Sequence, residues 1–217
     1  LAKRGYEVWL AARDPETLER EARTIREAGG HASTVVLDVS CPEETEARVT
    51  ALDREVGGFQ MVVANAGVGG PLTPVSRQTF SEARRVLETN LMGALATLLP
   101  VIPGMVDRGQ GHVVGISSLA GEMPLPSAAD YGTSKAALSF FLACAAMDLE
   151  PRGVHVTDIH PGFVRTELTA KNPFDMPFIL ELDDAADRID RAIAQRRRLA
   201  RFPLPLTSAI TAGTACT

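Results

Sequence analysis

Tyr131 and Lys135 are the residues of this chain whose types and spacing most directly suggest chemistry. They stand four residues apart, about one helical turn, so a phenol and an ammonium would share one face. An ammonium beside a phenol favours the phenolate, and lowering the phenol pKa by two units takes roughly 2.7 kcal/mol. A phenol tuned in this way exchanges protons with an alcohol or carbonyl near neutral pH. Taken alone, the spacing is more typical of an ordinary surface helix turn.

The surrounding residues change that balance. An apolar run that starts at Val113 ends in the hydroxyls of Ser117 and Ser118, which is the pattern of a buried strand. A proline-punctuated loop follows, and residues 130–135 then open a helix. The chain therefore predicts hydroxyl groups at a strand end close to the Tyr131 helix.

Several motifs in the chain, taken together, resemble the short-chain dehydrogenase/reductase family in their order and spacing. They are Asn65-Ala66-Gly67, Asn90, Ser118, the Tyr131-x-x-Ser134-Lys135 run, and Pro161-Gly162 with Thr166. The resemblance covers nearly the whole chain. It implies an α/β fold, a doubly wound, Rossmann-like parallel sheet with helices on both faces, and an oxidoreductase that uses a nicotinamide cofactor.

Size and composition limit the remaining function classes. The 217 residues suit one α/β domain, with 45% hydrophobic residues, 23% charged residues and a mean hydropathy of +0.04. We predict a single domain over residues 1–217, of which about 204–217 fray. A net charge of −5 argues against a nucleic-acid groove, and the one basic run, Arg196–Arg198, is interpreted as favouring a helix C-terminus.

The cysteines and apolar stretches bear on location. Three cysteines without metal or redox spacing favour a reducing compartment, and we expect a cytoplasmic protein without a metal site. Cys144 lies in an apolar segment and is predicted to be in the core. We expect no signal peptide and no membrane span, since Pro100 and Pro103 interrupt the apolar stretches. The histidines are interpreted as structural, with His160 beside Pro161 also placed to line a cofactor pocket.

Apolar runs alternate with segments of helical period, as in a parallel sheet flanked by helices. The predicted strands are Glu7–Ala12, Ala32–Leu37, Gln60–Asn65, His112–Ser117 and Val154–Ile159. The predicted helices are about Pro15–Ala28, Pro42–Val56, Phe80–Arg108 with bends at Pro100 and Pro103, Tyr131–Glu150 and Asp184–Arg198.

The first residues, Leu1 to Gly5, look like the last turn of a helix and its glycine cap. No G-x-G-x-x-G motif occurs before Glu7. In the family, a first strand with a glycine-rich loop lies between the strands at Glu7–Ala12 and Gln60–Asn65. We therefore expect this chain to be a fragment of a longer protein, with a gap in the middle of its sheet.

Two segments resemble the adenosine end of the family's cofactor site. Arg13 follows a strand where the adenosine ribose would lie, and arginine pairs with a 2′-phosphate, which favours NADP(H) over NAD(H). The alternative for Arg13 is a solvated loop charge, and adjacent Asp14 is a natural helix cap. Asp38 and Val39 resemble the adenine contact, and a strand-end cap at Asp38 is a compatible alternative.

Other segments resemble the nicotinamide end. Asn65, Ala66 and Gly67 close a strand at the edge where open α/β sheets bind ligands, and Asn65 is able to tie neighbouring strands together. The segment 160–166 resembles the one that clamps the nicotinamide carboxamide, with an ordinary turn as the alternative. The candidate contacts in that segment are Pro161, Gly162, Val164 and Thr166.

The resemblance also implies a mechanism. Tyr131 would be the general acid in reduction and the general base in oxidation, Lys135 would lower its pKa and bind the nicotinamide ribose, and Ser118 would donate to the substrate oxygen. Asn90 would bend its helix and complete a proton relay through water. Ser118 is preferred to Ser117 by strand parity and family spacing.

Two surfaces suggest ligands and partners. Phe174, Met176, Phe178 and Ile179, broken by Pro173 and Pro177, form either a substrate lid or a plain hydrophobic contact. If they form a lid, the substrate has an apolar body. The helix Ala136–Met147 is apolar nearly all round, so it is expected to pack with Leu91–Leu99 on a second copy, as in family dimers and tetramers.

Three function hypotheses remain. The leading one is an NADP-dependent oxidoreductase acting on a carbonyl or secondary alcohol. An NAD-preferring dehydrogenase of the same family is the second, and an inactive nucleotide-sensing or scaffold module is the third.

Overall fold

The architecture comes from a computed structural model that describes residues 1–170, 172 and 174–207. The described strands are β1 Glu7–Ala12, β2 His31–Val36, β3 Met61–Ala64, β4 Gly111–Ile116, β5 Val154–Pro161 and β6 Leu199–Phe202. The described α-helices are α1 Pro15–Glu27, α2 Pro42–Glu55, α3 Phe80–Leu87, α4 Gly93–Leu98, α5 Ile102–Asp107, α6 Ala129–Leu149 and α7 Leu182–Ala194. The predicted alternation of strands and helices is confirmed.

Local sequence explains where the first helices begin. Asp14 precedes α1, and its carboxylate accepts a hydrogen bond from the Thr17 amide, which satisfies a free donor of the first turn. At α3, Thr79 and Glu82 cap each other's backbone amides reciprocally. At the start of the chain, Gly5 ends a short 3-10 turn with φ of 86°, the glycine cap that the sequence predicts.

The strands form two parallel sheets, β1-β2 and β3-β4-β5-β6. Among the described residues, no strand pairs with β1 on the side away from β2, nor with β3 on the side away from β4. This is the predicted gap in the sheet. The ladder between β5 and β6 pairs Pro161 with Phe202. The sequence carries no strand signal here, because β6 has only four residues, Leu-Ala-Arg-Phe, directly after the run of arginines.

The core lies on both faces of the four-stranded sheet. Val113 faces a cluster with α4 to α6 that includes Leu98 and Leu142, whereas the next residue, Val114, faces a cluster with α7 that includes Ile193. Because successive strand residues point to opposite faces, neighbouring valines of β4 serve both layers. The helices therefore cover both faces, and the doubly wound, Rossmann-like α/β fold is confirmed.

One stretch among the described residues, Phe80–Asp107, is long and apolar enough to cross a membrane by length and composition alone. It belongs to the core, because Leu98, Val101 and Met105 are fully buried against the sheet and α6. Its path is broken by a 3-10 turn at Leu99–Val101 next to Pro103, close to the predicted bends.

Three sequence expectations need correction. Cys144 is exposed, because it lies on the side of α6 that faces away from the sheet. The last helix ends at Ala194 rather than Arg198. Arg196 to Arg198 therefore lie beyond that helix instead of in its last turn, and Arg196 donates to His155 Nε2 at 2.8 Å. Residues 204–207 form a helical turn, and the remainder of the segment predicted to fray lies outside the described residues.

Candidate active site

Tyr131 and Lys135 lie in the first two turns of α6, at the edge of the sheet where the parallel strands end. Lys135 is buried, and its Nζ lies 5.9 Å from the centre of the Tyr131 ring. The ammonium donates a hydrogen bond of 2.7 Å to the carbonyl oxygen of Ile116, the last residue of β4. The structure therefore brings the phenol and the ammonium together on one helix face, and the sheet fixes the ammonium.

The pKa of Tyr131 is raised, not lowered as the sequence predicted. Burial of the phenol is the largest cause and outweighs a hydrogen bond with Ser118, which favours the phenolate. Lys135 directs its proton to the Ile116 carbonyl instead. Burial also lowers the pKa of Lys135 to about 8, against a smaller opposing effect of the Asp158 charge.

Ser118 and Ser117 face different surroundings at the end of β4. The Ser117 hydroxyl donates to Asp158 Oδ1 at 2.5 Å, away from the phenol. The Ser118 hydroxyl accepts from the Ala120 amide at 3.1 Å and lies 3.4 Å from the Pro161 carbonyl oxygen. Of the two serines, Ser118 is the one placed to hydrogen-bond with Tyr131, in line with the parity argument.

Asn90 is fully buried in a π-helical turn, Glu88–Met92, between α3 and α4. Its Oδ1 accepts from the Val68 amide at 2.7 Å, and its Nδ2 donates to the Val68 carbonyl at 2.9 Å and to Ser134 Oγ at 3.0 Å. One amide side chain thus holds the loop after β3 and, through Ser134, the first turns of α6. Single π turns recur at functional sites because they redirect a side chain, and this one directs Asn90 inward.

Ser134 is a positioning residue to which the sequence analysis assigned no role. It is buried, and its hydroxyl donates to the Tyr131 carbonyl at 2.7 Å while accepting from Asn90. A serine inside an apolar helix, three residues after the tyrosine, was the available signal.

Gly67, in the loop after β3, lies directly beside Asn90 and Lys135. A Cβ on Gly67 would stand 3.3 Å from Asn90 Oδ1 and 3.4 Å from Lys135 Nζ, so a side chain here would crowd the ammonium. Asn65, Ala66 and Gly67 are exposed. Within the described part of the chain the Asn65 side chain has no hydrogen bond to a neighbouring strand, so the tie expected of it is not formed there.

The residues predicted for the adenosine end meet where β1 and β2 end. The positive charge of Arg13 is close enough to contribute to the lowered pKa of Asp38, whose larger causes are hydrogen bonds from the Ser40 amide and hydroxyl. Those bonds, at 3.0 and 2.7 Å, form the strand-end cap that was weighed as an alternative for Asp38. Val39 packs closely on α4 at Gly93, where a Cβ would collide with the Val39 carbonyl oxygen.

The segment after β5 is held by pairing rather than left as a free turn. The Gly162 amide donates to the Phe202 carbonyl at 2.8 Å, and Val164 forms a bridge with Leu180. The Thr166 amide donates at 3.1 Å to Thr169 Oγ1, which itself donates to the Val164 carbonyl at 2.6 Å. Thr169, which the sequence analysis did not single out, thus organises the turn that presents Thr166.

The apolar segment beyond this turn is described except at Pro173, which lies outside the described residues. Phe174 packs edge-on against Phe163 with ring centres 6.0 Å apart, while Phe178 remains exposed. The segment therefore covers the residues after β5 from one side.

These residues fit the two ends of a nicotinamide dinucleotide. At one end, the exposed cation of Arg13 lies beside the Asp38 carboxylate, which is able to accept a hydrogen bond from adenine. At the other end, Gly67 leaves room next to the buried Lys135 ammonium, and Gly162 is fixed by the sheet. A dinucleotide that bridges these ends would lie along the carboxyl edge of the strands, where open α/β sheets bind such ligands.

Comparisons with known proteins agree with this architecture. A family model described as short chain dehydrogenase matches residues 1–176. An "Uncharacterized oxidoreductase" of Myxococcus xanthus is 44% identical over 206 residues, which are 95% of this chain and 81% of that protein.

Two solved structures with bound cofactor are also similar. A short-chain dehydrogenase from Sphingobium yanoikuyae in complex with NADPH has a TM-score of 0.87 and 26% identity, covering 99% of this chain and 85% of its own. A metagenomic short-chain oxidoreductase in complex with NADP has a TM-score of 0.78 and 29% identity, covering 93% and 86%. This chain therefore belongs to the short-chain dehydrogenase family of NAD(P)-dependent oxidoreductases.

Proposed function

We propose that this protein transfers hydride between NADP(H) and a carbonyl or secondary alcohol, with Tyr131 exchanging the proton. The observation that carries the proposal is the meeting of Tyr131, Lys135, Ser118 and Asn90 from three separate segments at one edge of the sheet. A module that only senses or scaffolds has no need of a buried ammonium next to a half-buried phenol, since both lose hydration there.

The protonation states of Tyr131 and Lys135 at neutral pH favour the reduction direction, in which Tyr131 acts as an acid. Burial raises the pKa of Tyr131, so the phenol holds its proton at neutral pH and can give it to a carbonyl oxygen. Lys135, with a pKa of about 8, still carries its charge at neutral pH and stabilises the phenolate left behind. Ser118 donates to the same oxygen as negative charge develops on it.

The other residues hold the reactants. When bound, the nicotinamide supplies or accepts the hydride. Lys135 would also bind its ribose, and Pro161, Gly162, Val164 and Thr166 would contact the ring side. Arg13, Asp38 and Val39 would hold the adenosine. Asn90 would pass the proton on toward solvent through water.

Replacement of Tyr131 by phenylalanine tests the mechanism. Tyr131→Phe keeps the ring and removes only the acidic hydroxyl, so turnover of ketones and aldehydes with NADPH should fall by about two to four orders of magnitude. Binding of NADPH, followed by its fluorescence, should change little. The chain has two tyrosines, and Tyr6→Phe is the matched control because Tyr6 is exposed in the segment before β1. Turnover retained by Tyr131→Phe would refute the assignment.

The preference for NADP(H) rests on Arg13. Its guanidinium is exposed next to Asp38, where it is free to pair with a 2′-phosphate. Arg13→Asp should reverse the ratio of kcat/KM between NADPH and NADH. An unchanged ratio would refute the role of Arg13, and a ratio that favours NADH in the unmodified protein would support the NAD-preferring alternative.

We also propose that α6 packs on a second copy of this chain, in a cytoplasmic homodimer or homotetramer. Phe140 and Met147 expose 73% and 72% of their surface along one face of α6, and Cys144 lies exposed between them. A thiol reagent therefore reports on this face. As protein concentration rises, labelling of Cys144 should slow, while labelling of Cys41, exposed before α2, stays constant. Equal behaviour of both thiols in a protein that sediments as a dimer would place the contact elsewhere.

A further inference from the structure

A buried polar cluster lies behind the candidate site, on the strand that leads to Pro161. Asp158 and His160 are two residues apart on β5 and therefore point to the same face of the sheet, where both are buried. The Asp158 carboxylate accepts from Ser117 Oγ at 2.5 Å, Ser139 Oγ at 2.6 Å and His160 Nε2 at 2.6 Å. This carboxylate thus accepts hydrogen bonds from the residue after β4, from α6 and from β5.

The His160 imidazole lies between two carboxylates. Its Nδ1 contacts Glu122 Oε1, and its Nε2 contacts Asp158 Oδ2. A neutral imidazole has a single N–H, so one of its nitrogens would turn a lone pair toward a carboxylate. The Ser139 hydroxyl does not supply the missing proton to His160, because it donates to Asp158 Oδ2 at 2.6 Å and lies 3.2 Å from His160 Nε2. Only the imidazolium donates to both partners.

The charged groups around His160 favour its protonation on balance. Burial lowers the pKa of His160, but hydrogen bonds and charge from Asp158 and Glu122 outweigh it, so the pKa is raised. The nearby cations face the two carboxylates: Arg201 of β6 donates to Glu122 Oε1 at 2.8 Å, and the charge of Asp158 acts on the Lys135 ammonium of α6. Neither cation contacts the imidazole itself in the described structure.

The position of the cluster gives it a function. Glu122 directly follows the 3-10 turn Leu119–Gly121 that begins at Ser118, and His160 directly precedes Pro161. Near the site the two segments are also joined by the Ser117 amide, which donates to the Ile159 carbonyl at 2.8 Å, and by the long 3.4 Å contact from Ser118 Oγ to the Pro161 carbonyl. Beyond the end of the β4–β5 pairing, the contact between Glu122 and His160 therefore ties the segment that carries Ser118 to the segment that would hold the nicotinamide.

We propose that His160, as an imidazolium bridging Asp158 and Glu122, is a positioning residue that sets the distance between Ser118 and the Pro161-Gly162 segment. This proposal rests on the proposed function for its kinetic consequence, but the bridge itself does not. The bridge is complete at pH values at which His160 is protonated, and it weakens as the pH rises through the raised pKa of His160.

The bridge is tested by NMR titration of the four histidine rings, with the His160 signal assigned from the spectrum of His160→Gln. The His160 ring should deprotonate at a higher pH than the ordinary histidine value of about 6.5. Glu122→Gln keeps an oxygen for Arg201 and removes one carboxylate charge, so it should lower the midpoint of His160 by about one pH unit or more. A His160 midpoint at or below about 6.5, or one unmoved by Glu122→Gln, would overturn the bridge.

The positioning role is tested by NADPH binding and by kinetics. His160→Gln and Glu122→Gln should each weaken NADPH binding and lower kcat/KM by about tenfold or more, since small displacements of positioning groups cost up to about a hundredfold. As the pH rises, NADPH affinity and kcat/KM should begin to fall at a lower pH in Glu122→Gln than in the wild type. A merely structural defect would not produce this shift. His155→Gln is the matched control and should stay within about twofold.

The outcomes separate the two proposals. If His160→Gln fails to fold, as judged by circular dichroism, Glu122→Gln alone tests the positioning role. The Glu122 side chain is partly exposed, so its replacement should leave the fold intact. NADPH binding and turnover in Glu122→Gln equal to those of His155→Gln would overturn the positioning role. If the unmodified protein reduces none of the carbonyls offered, the proposed function fails, while the titration and the NADPH affinities still decide the bridge and its role.

Discussion

Replacing Lys135 with methionine should stabilise the protein at neutral pH while abolishing its activity. Burial lowers the pKa of Lys135 from 10.5 to about 8. At about 1.4 kcal/mol per pH unit, the charged ammonium costs the folded state about 3 kcal/mol relative to the unfolded chain. Methionine fills a similar volume without charge, but it forfeits the hydrogen bond to the Ile116 carbonyl, worth about 1 kcal/mol. The expected gain for Lys135→Met at pH 7 is therefore about 2 kcal/mol.

The sign of the pH dependence follows from the lowered pKa. Between pH 8 and pH 10.5 the unfolded chain holds the lysine proton that the folded protein has released, so the stability of the wild type rises with pH in this window. The advantage of Lys135→Met should shrink accordingly and be nearly gone at pH 10. All other titrating groups are common to both proteins and cancel in the difference.

Urea denaturation at pH 7 and pH 10, followed by circular dichroism, measures this difference. Lys3→Met is the matched control, because Lys3 is exposed at the start of the chain and should show no such dependence. A Lys135→Met protein that is less stable than the wild type at both pH values, by the same amount, would refute the claim that burial of the ammonium strains the fold.

Two further predictions concern buried polar groups. Asn90→Ala removes three hydrogen bonds and leaves the backbone groups of Val68 without their partner, so the free energy of unfolding, measured by urea denaturation at pH 7, should fall by about 2 to 4 kcal/mol. The control is neighbouring Thr89→Ala, which loses one hydrogen bond to the Arg85 carbonyl and should cost about 1 kcal/mol. Equal losses in the two variants would contradict the role of Asn90 in holding the loop after β3. Burial, followed by repulsion from His155 and Arg196, lowers the pKa of His112 to about 4. The protein should therefore lose stability as the pH falls from about 6.5 toward 4, because the unfolded chain binds a proton that the folded chain does not. A His112→Gln protein whose stability falls just as steeply over that range would contradict this prediction.

The sequence was informative about the candidate site because its key residues are set by local spacing. Tyr131 and Lys135 share a helix face through a four-residue separation, and the run from Val113 to Ser118 could be read as a strand with hydroxyls at its end. Strand parity separates Ser118 from Ser117, since alternation along a strand is a local property, and in the structure the Ser117 hydroxyl turns to Asp158. The roles of these residues in turnover stay predictions until the variants are measured.

Groups whose behaviour depends on distant partners escaped the sequence analysis. The short strand β6 is recognisable only through its pairing with β5, which places Phe202 beside Pro161. Cys144 looked like a core residue because its helix is apolar nearly all round, yet which side of such a helix faces the sheet is decided by packing.

The chain by itself determined the family, the α/β layering and the residues able to carry a proton, because these follow from residue type and from spacing along one element. The tertiary structure alone decided their charges: burial raises the pKa of Tyr131 and lowers that of Lys135, and two carboxylates from separate segments enclose His160. The physical reason is that hydration and the field of neighbouring charges depend on distances through space, to which residues far apart in the sequence contribute equally.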